Sequence, residues 1–392
     1  MEETRKYKQT ELGLLPEDWE VVKLGDCLSI GNGKDYKHLK EGNIPVYGTG
    51  GIMCYVNDFL YDGTTVCIGR KGTIDAPIYH EGTIWTVDTL FYTHSFVGLI
   101  ERYAYYLFNQ INWQSHNEAT GVPSLSKVNI LSIEIARPPI KEQRRIASAL
   151  TSIDNLIDSL DRLIAKKRDM KQGAMQQLLS GKKRLKGFTE PWKIYKIDDL
   201  FDIGNGYTPS KANSAYWTNG TIPWFRMEDI RANGRILKDS IQHITEEAVK
   251  NSGLFPANSI ILSTTATIGE HALLIADSLA NQRFSFLIRK LNRCSDIDIM
   301  FFFYYCFILG EWCRANINDG GLMAVNMTDL KNYTFSAPSL PEQQAIASVL
   351  TSIDNELSAL EAKRKKYEQI KQGMMQQLLT GKIRLENASI VH

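Results

Sequence analysis

The sequence predicts an α+β protein. Two α/β lobes are separated by two long α-helices that pack as an antiparallel coiled coil, and the whole is a pseudo-two-fold tandem repeat. Three observations carry this. IASALTSIDN begins at Ile146 and IASVLTSIDN at Ile346, ten residues with one difference, two hundred positions apart. Around them, residues 140–185 and 340–385 agree at 25 of 46 positions without a gap, and self-similarity on that scale decides an architecture. Both copies place isoleucine and leucine at steps of four and three, the mark of a helical seam.

At 392 residues the chain exceeds one ordinary hydrophobic core. The divisions read from the repeat are a first lobe over 1–139, a constant helix over 140–182, a second lobe over 183–338, a second constant helix over 339–383 and a tail over 384–392. Upstream of each helix the lobes correspond only at landmarks. WEVVKLGDCLSIGNG from Trp19 aligns with WKIYKIDDLFDIGNG from Trp192, and NIPVYG at 43–48 with TIPWFR at 221–226. Gly72-Thr73-Ile74 parallels Ala266-Thr267-Ile268, and TGVPSLS at 120–126 parallels GGLMAVN at 320–326. Glycine-punctuated β-rich runs such as TTVCIGRKGTI and SIILSTTATIGEHALLIA predict several short strands per lobe. A helical stretch follows in each, ERYAYYLFNQINW and MFFFYYCFILGEW.

The first helical seam runs Ile146, Leu150, Ile153, Ile157, Leu160, Ile164, and the second Ile346, Leu350, Ile353, Leu357, Leu360. Apolar residues resume at Met170, Ala174, Leu178 and at Ile370, Met374, Leu378, so a stutter is expected near Lys166 and Lys366. Pro139 and Pro341 mark the starts, with Ser339 and Glu342 at capping-box spacing, and Gly181 and Gly381 mark the stops. Each helix then spans roughly 55 Å. The seam either meets its own repeat, antiparallel about the pseudo-two-fold, or packs on the helix's own lobe.

The formal net charge of +1 excludes a global basic field, leaving only local ones. Six cysteines without a CxxC pair read as reduced thiols, and seven scattered histidines form no metal cluster. The charged start of the chain is no signal peptide, and IMFFFYYCFILG at 299–310 is too short to span a bilayer, so a cytoplasmic protein with a buried helix is expected. Catalytic motifs are missing. The one Pro-Pro, in Arg137-Pro138-Pro139-Ile140, lacks the flanking polar and aromatic residues of an amino-methyltransferase loop, and no Walker spacing occurs. IGNG at 30–33 and 203–206 reads as a tight turn after a strand, and Asp198-Asp199 as a surface turn.

Binding chemistry remains. GRKG sets Arg70 and Lys71 between glycines, a tip able to approach a phosphate or base edge. Lys34 and Tyr36 follow the first IGNG; Tyr207, Ser210 and Lys211 follow the second. Thr73, Ser124 and Lys127 in the first half, and Arg226, Thr265 and Arg283 in the second, complete the candidate DNA-binding set. A lone surface cation is most simply a solvated charge; recurrence at matched places in both halves favours nucleic acid. Residues 141–186 also carry twelve Lys/Arg against five Asp/Glu. Thr151, Asp154, Asn155 and Gln176, with Thr351, Asp354, Asn355 and Gln376, are retained polar positions on the helices. They are expected to face outward as a repeated docking surface for two identical partners.

The duplicated PxxEQxxIAxxLxSID and KQGxMQQLLxGKxRL segments, TIPWFRMEDI and the TEPWK-type entry together resemble the specificity (S) subunit of type I restriction–modification systems, over nearly the whole chain. That resemblance implies two target-recognition domains, each reading one half of a split, asymmetric sequence in double-stranded DNA. It implies a subunit without catalytic activity or bound cofactor, which assembles with two methyltransferase (M) subunits and with restriction (R) subunits. S-adenosylmethionine, ATP and Mg are expected on those partners. The family has no fixed motif for base contacts, so no reading residue is carried over. The alternative is a coiled-coil scaffold that binds proteins through its two globular halves.

Overall fold

The computed structural model describes residues 6–250, 253–318 and 323–385. Gly320–Leu322 of the GGLMAVN landmark and 386–392 of the tail lie outside them. The chain forms two compact units. One contains the residues up to Arg162 and those from Glu361 on; the other is Leu163–Leu360. Each unit therefore holds one lobe with segments of both long helices, Ile140–Leu178 and Leu340–Leu378.

Within the first lobe, one sheet has the order Gly51–Val56, Glu41–Gly48, Thr83–Thr86, Tyr61–Asp62, and another Ser29–Asn32, Leu90–His94, Thr65–Gly69, Ile78–His80. The second lobe repeats the plan. Phe201–Asn205, Phe284–Arg289 and Ile260–Ser263 pair in the same order as Ser29–Asn32, Leu90–His94 and Thr65–Gly69. Most pairs are antiparallel, which makes each lobe itself α+β in detail. One parallel pairing recurs, Trp85 with Val46 and Leu279 with Trp224, and the second lobe adds another, Ile236 with Leu273. Each lobe is closed by an antiparallel ladder between the strand after its entry tryptophan and the strand before its helix, Glu20–Lys23 with Glu134–Arg137 and Lys193–Lys196 with Thr334–Ala337.

The IGNG glycines are not turn residues. A Cβ on Gly33 would lie 1.9 Å from the Val87 carbonyl oxygen, and one on Gly206 2.3 Å from that of Asn281. Only a bare backbone permits the crossing strand to come so close. Asp198 and Asp199 lie exposed on a single helical turn, Ile197–Leu200, as the surface-turn reading expects. The Asp199 carboxylate accepts from the Lys196 N–H at 3.4 Å, and Asp26 accepts from Lys23 at 3.3 Å, so both aspartates cap the first turn of a short helix.

The helical seam answers both readings left open above. Ile146 and Leu150, fully buried, belong to the first lobe's core, as do Met375, Leu378 and Leu379 from the second long helix. Ile346 and Leu350 sit likewise in the second lobe's core with Leu178 and Leu179. Between these ends the expected stutter is absent. Met170 and Ile370 are 51% and 37% exposed, while Lys167 and Lys171 are half-buried. Taken through Ile164, Lys167, Lys171, Ala174 and Leu178, the spacing of three and four never slips. An apolar-only reading missed it because two seam positions are lysines, whose long stems cover apolar surface while the amines find carboxylates. The capping-box expectation fails as well: Glu342 turns inward to Arg184, and the Ser339 carbonyl receives the Glu342 and Gln343 N–H groups.

The Ile299–Ala315 helix is buried along most of its length, and no helix among the described residues is long and apolar enough to cross a membrane. All six cysteines are free, and no cluster of metal-binding side chains occurs among the described residues. His271 lies in the second lobe's interior against Phe303 and Phe307, its Nε2 without a partner. Burial, then the Arg235 charge, pushes its pKa down to about 3. An unfolded chain protonates this histidine near pH 6.5 while the folded one refuses, so stability is complete above that pH and falls as pH drops toward 3. Between pH 6.5 and 5 the wild type should lose about 2 kcal/mol more than His271→Gln, at roughly 1.4 kcal/mol per unit, read from urea midpoints of the second unit's transition.

Candidate nucleic-acid interface

Backbone hydrogen bonds gather the candidate loops of the first lobe along one edge. Lys34 N–H donates to Thr86 at 2.8 Å, Arg70 and Lys71 to Thr89 at 2.8 and 3.2 Å, and Gly72 to Pro123 at 2.9 Å. Lys71 and Ser124 form an isolated bridge. In the second lobe Tyr207 donates to Ala280 at 2.9 Å, Thr264 to Arg283 at 3.1 Å and Val325 to Thr264 at 2.9 Å, with a bridge between Thr265 and Ala324. The two edges are built alike from unlike sequences. At the tip of the matching turn, Gly72 has φ +96° and Ala266 φ +60°. An alanine held in the left-handed region costs about 1 kcal/mol, so the conformation is kept even where glycine is not.

Lys34, Arg70, Lys71 and Thr73 are exposed on the first edge, and Ser210, Lys211 and Arg283 are exposed in the second lobe; Ser124 and Thr265 are half-buried there. Arg70 is steadied by the Asp88 carbonyl at 3.3 Å and lies 5.8 Å over the Phe91 ring. Four candidates are committed inward. The Lys127 amine donates to the Ile30 carbonyl at 2.7 Å. Tyr36 packs beside Val46 and Trp85. The Tyr207 hydroxyl bonds the Ala248 carbonyl at 3.2 Å and receives the Lys250 N–H at 2.8 Å. Arg226 lies over Trp224 and beside Glu228, 3.8 Å away. Arg226 and Tyr207 follow strand ends, Lys127 opens the helix Lys127–Ser132 and Tyr36 lies in a loop, and each is half-buried against its own lobe.

Asp154 does not face outward: its Oδ2 accepts from the Tyr106 hydroxyl at 2.6 Å and its Oδ1 meets Lys371 at 2.6 Å, with Thr151 3.1 Å from the same hydroxyl. The second copy repeats this. Asp354 accepts from Tyr304 at 2.8 Å and pairs with Lys171 at 2.5 Å, and Tyr304 reaches Thr351 at 3.3 Å. Burial, together with the neighbouring aspartate, raises the pKa of both tyrosines, so each stays a donor. A tyrosine from the lobe and a lysine from the opposite helix thus explain why Thr and Asp are retained. Asn155, Asn355, Gln176 and Gln376 remain exposed.

Two further joints went unread. Buried Gln143 accepts from Ile100 N–H at 2.9 Å and donates to Gly98 and Pro138; buried Gln343 accepts from Asp298 at 2.8 Å and donates to Asp296 and Pro338. Glu142 takes the Arg384 guanidinium at 2.7 and 2.8 Å and the Trp19 indole N–H at 2.9 Å, while Glu342 takes Arg184 at 2.6 and 2.5 Å. Within each unit these pairs run in opposite senses along the two helices. Asp161 meets Arg364 and Asp154 meets Lys371 in one unit; Lys167 meets Glu356 and Lys171 meets Asp354 in the other. The helical segments are therefore antiparallel. The signal for these joints was the identity of Glu, Gln and Arg between repeats, but Tyr106 and Tyr304 lie in stretches that barely align.

Residues 16–166 and 189–372 match the family described as the type I restriction modification DNA specificity domain. The chain belongs to that family. It is 46% identical over 191 residues to the type I restriction enzyme EcoprrI specificity subunit of Escherichia coli, an alignment covering 48% of this chain and 47% of that one. With the MjaVIII specificity subunit of Methanocaldococcus jannaschii it shares 27% identity over 95% of both chains. The crystal structure of a type I restriction–modification S subunit from M. genitalium shares the fold at a TM-score of 0.63 and 14% identity, covering 96% of this chain and 99% of that one.

In a double-mutant cycle, Tyr106→Phe and Asp154→Ala should each destabilise the first unit by about 1.5–3 kcal/mol, since each breaks a hydrogen bond to a charged group. Their coupling should reach about 1 kcal/mol by denaturant titration. Additive losses would return Asp154 to a surface role.

Proposed function

We propose that this specificity subunit works as a non-catalytic reader. Each lobe recognises one half of a bipartite, asymmetric duplex target through its loop edge, and the long helices fix the spacing and dock two methyltransferase subunits. The observation that carries this reading is one loop edge, with the same hydrogen-bonding frame, repeated on two lobes of unlike sequence. Exposed cations along an edge of bare backbone suit phosphates and base edges. Catalysis would reside with the partners, which carry S-adenosylmethionine and, on the restriction subunits, ATP and Mg; the setting is the cytoplasm.

Partner docking is supported by what internal packing leaves unexplained. Ser148, Ser152 and Asn155 are exposed and identical to Ser348, Ser352 and Asn355. Gly173 and Gly373 stand inside long helices, where glycine costs about 0.5–1 kcal/mol relative to alanine, and a Cβ on either would meet nothing within 4 Å in this chain. A bare backbone kept twice without an internal need fits a partner that approaches closely at two equivalent places.

Reconstitution with methyltransferase subunits should give adenine methylation at one bipartite sequence, with affinity falling steeply against log salt. Methylation by the isolated chain, or salt-insensitive binding by the complex, would contradict the reading. Gly173→Leu and Gly373→Leu should leave the melting temperature within about 2 °C of wild type, consistent with the empty space and better helix propensity. Each variant should lose one of two bound methyltransferase copies by native mass.

A further inference from the structure

The hairpin Glu41–Val56 of the first lobe has a feature that neither packing nor the repeat accounts for. Its tip is Gly48-Thr49-Gly50-Gly51, followed by Ile52 and Met53, which are 50% and 57% exposed. Neighbouring residues of a regular strand point to opposite faces, so two consecutive exposed apolar side chains need a distortion. The ladder supplies one. Val46 pairs with Cys54 and Tyr47 with Ile52, leaving Met53 as the unpaired residue of a bulge. Bulges re-aim side chains and concentrate at functional edges. Gly48 makes room for the result, because a Cβ there would come within 2.7 Å of the Met53 sulfur. Gly51 takes φ +112°, a turn conformation that calls for glycine, whereas Gly50 has no such internal reason: a Cβ there would meet nothing within 4 Å.

This tip belongs to the cationic edge. It lines one groove with Tyr36, Lys37, Asp88 and Thr89, and Gly72 of the GRKG turn approaches it through the Thr49 hydroxyl, 3.7 Å from an ideal Cβ. Exposed Lys34, Lys37, Arg70 and Lys71 therefore flank two exposed apolar side chains on a bare, glycine-rich strand reversal. Exposed Asp35 and Asp88 line the same groove, so the four cations leave a net local charge of +2, and a polyanion with an apolar interior matches both the charge and the apolar tip. Among the described residues the second lobe has no such hairpin tip at the matching place, since its chain passes from Phe225 into the helix Met227–Asn233.

We infer that Ile52 and Met53 form an apolar tooth that enters a groove of the duplex and reads base edges by apolar contact, while the flanking cations hold the phosphates. The inference rests on the reading of the edge as DNA-facing. It assigns the two kinds of contact to different residues and confines the tooth to one half-site.

The test uses the assembled complex with its methyltransferase subunits, mapping methylated adenines and measuring duplex binding across salt. Ile52→Ser/Met53→Ser should relax one or two base positions of a single half-site. Discrimination there should drop about ten-fold or more, with the other half-site and the salt slope unchanged. Arg70→Ala/Lys71→Ala should instead weaken binding to all sequences and lower the salt slope by about two. The tooth residues are exposed, so an unchanged melting temperature checks the fold. An unaltered motif and rate in the serine variant would overturn the tooth while leaving the specificity role intact. Loss at both half-sites, or a reduced salt slope, would overturn it too. Failure of the wild-type complex to methylate a bipartite site would instead overturn the broader reading.

Discussion

Each unit is held by a carboxylate buried at the start of one helix and the guanidinium that follows the end of the other. Glu142 is 4% exposed and the Arg384 side chain 9%; Glu342 is fully buried against Arg184. A buried carboxylate without its partner costs about 3–5 kcal/mol, so neither unit is complete without chain from both repeats. The first unit joins residues hundreds of positions apart in sequence, with the Tyr7 hydroxyl on the Gly381 carbonyl and Arg384 also on Asp18 at 2.7 Å. The antiparallel sense of the helical segments follows, because only that sense brings the start of one helix to the end of the other.

From this constraint comes the division between what the repeats keep and what they change. Glu142, Gln143, Ile146, Ala147, Leu150, Thr151 and Asp154 lie three or four residues apart along one helical face. Each has an internal partner in the lobe core or the opposite helix, and so does each counterpart two hundred residues on. Lobe interiors can diverge because their frame is set by backbone pairing. The parallel contact of Trp85 with Val46 and that of Leu279 with Trp224 make the same crossing with different side chains. Loop edges therefore vary freely in chemistry while keeping their place, which suits the proposed reading of two different half-sites.

Apolarity alone puts Met170 and Ile370 on the seam, and charge alone takes Lys167 and Lys171 off it. In the fold the lysines occupy the seam, since carboxylates at Glu356 and Asp354 satisfy them. Polarity likewise points Asp154 outward, yet it meets Tyr106 and Lys371. Polarity alone does not reveal which way a side chain faces when its partner lies on a distant segment.

The tandem architecture, the long helices and the family were legible in the sequence, because they rest on repetition and on a periodicity that survives substitution. The candidate cations of GRKG, with Lys211 and Arg283 in the second half, were legible as residue types. The tertiary structure alone decided which were available. It turned Lys127 and Tyr207 inward, left Lys34, Arg70, Lys71, Lys211 and Arg283 exposed, and raised Ile52 and Met53 on a bulge that no local pattern announces. The physical reason is that exposure and pairing depend on long-range contacts. A bulge depends on the register of a partner strand, and a buried carboxylate on an arginine more than a hundred and fifty residues away.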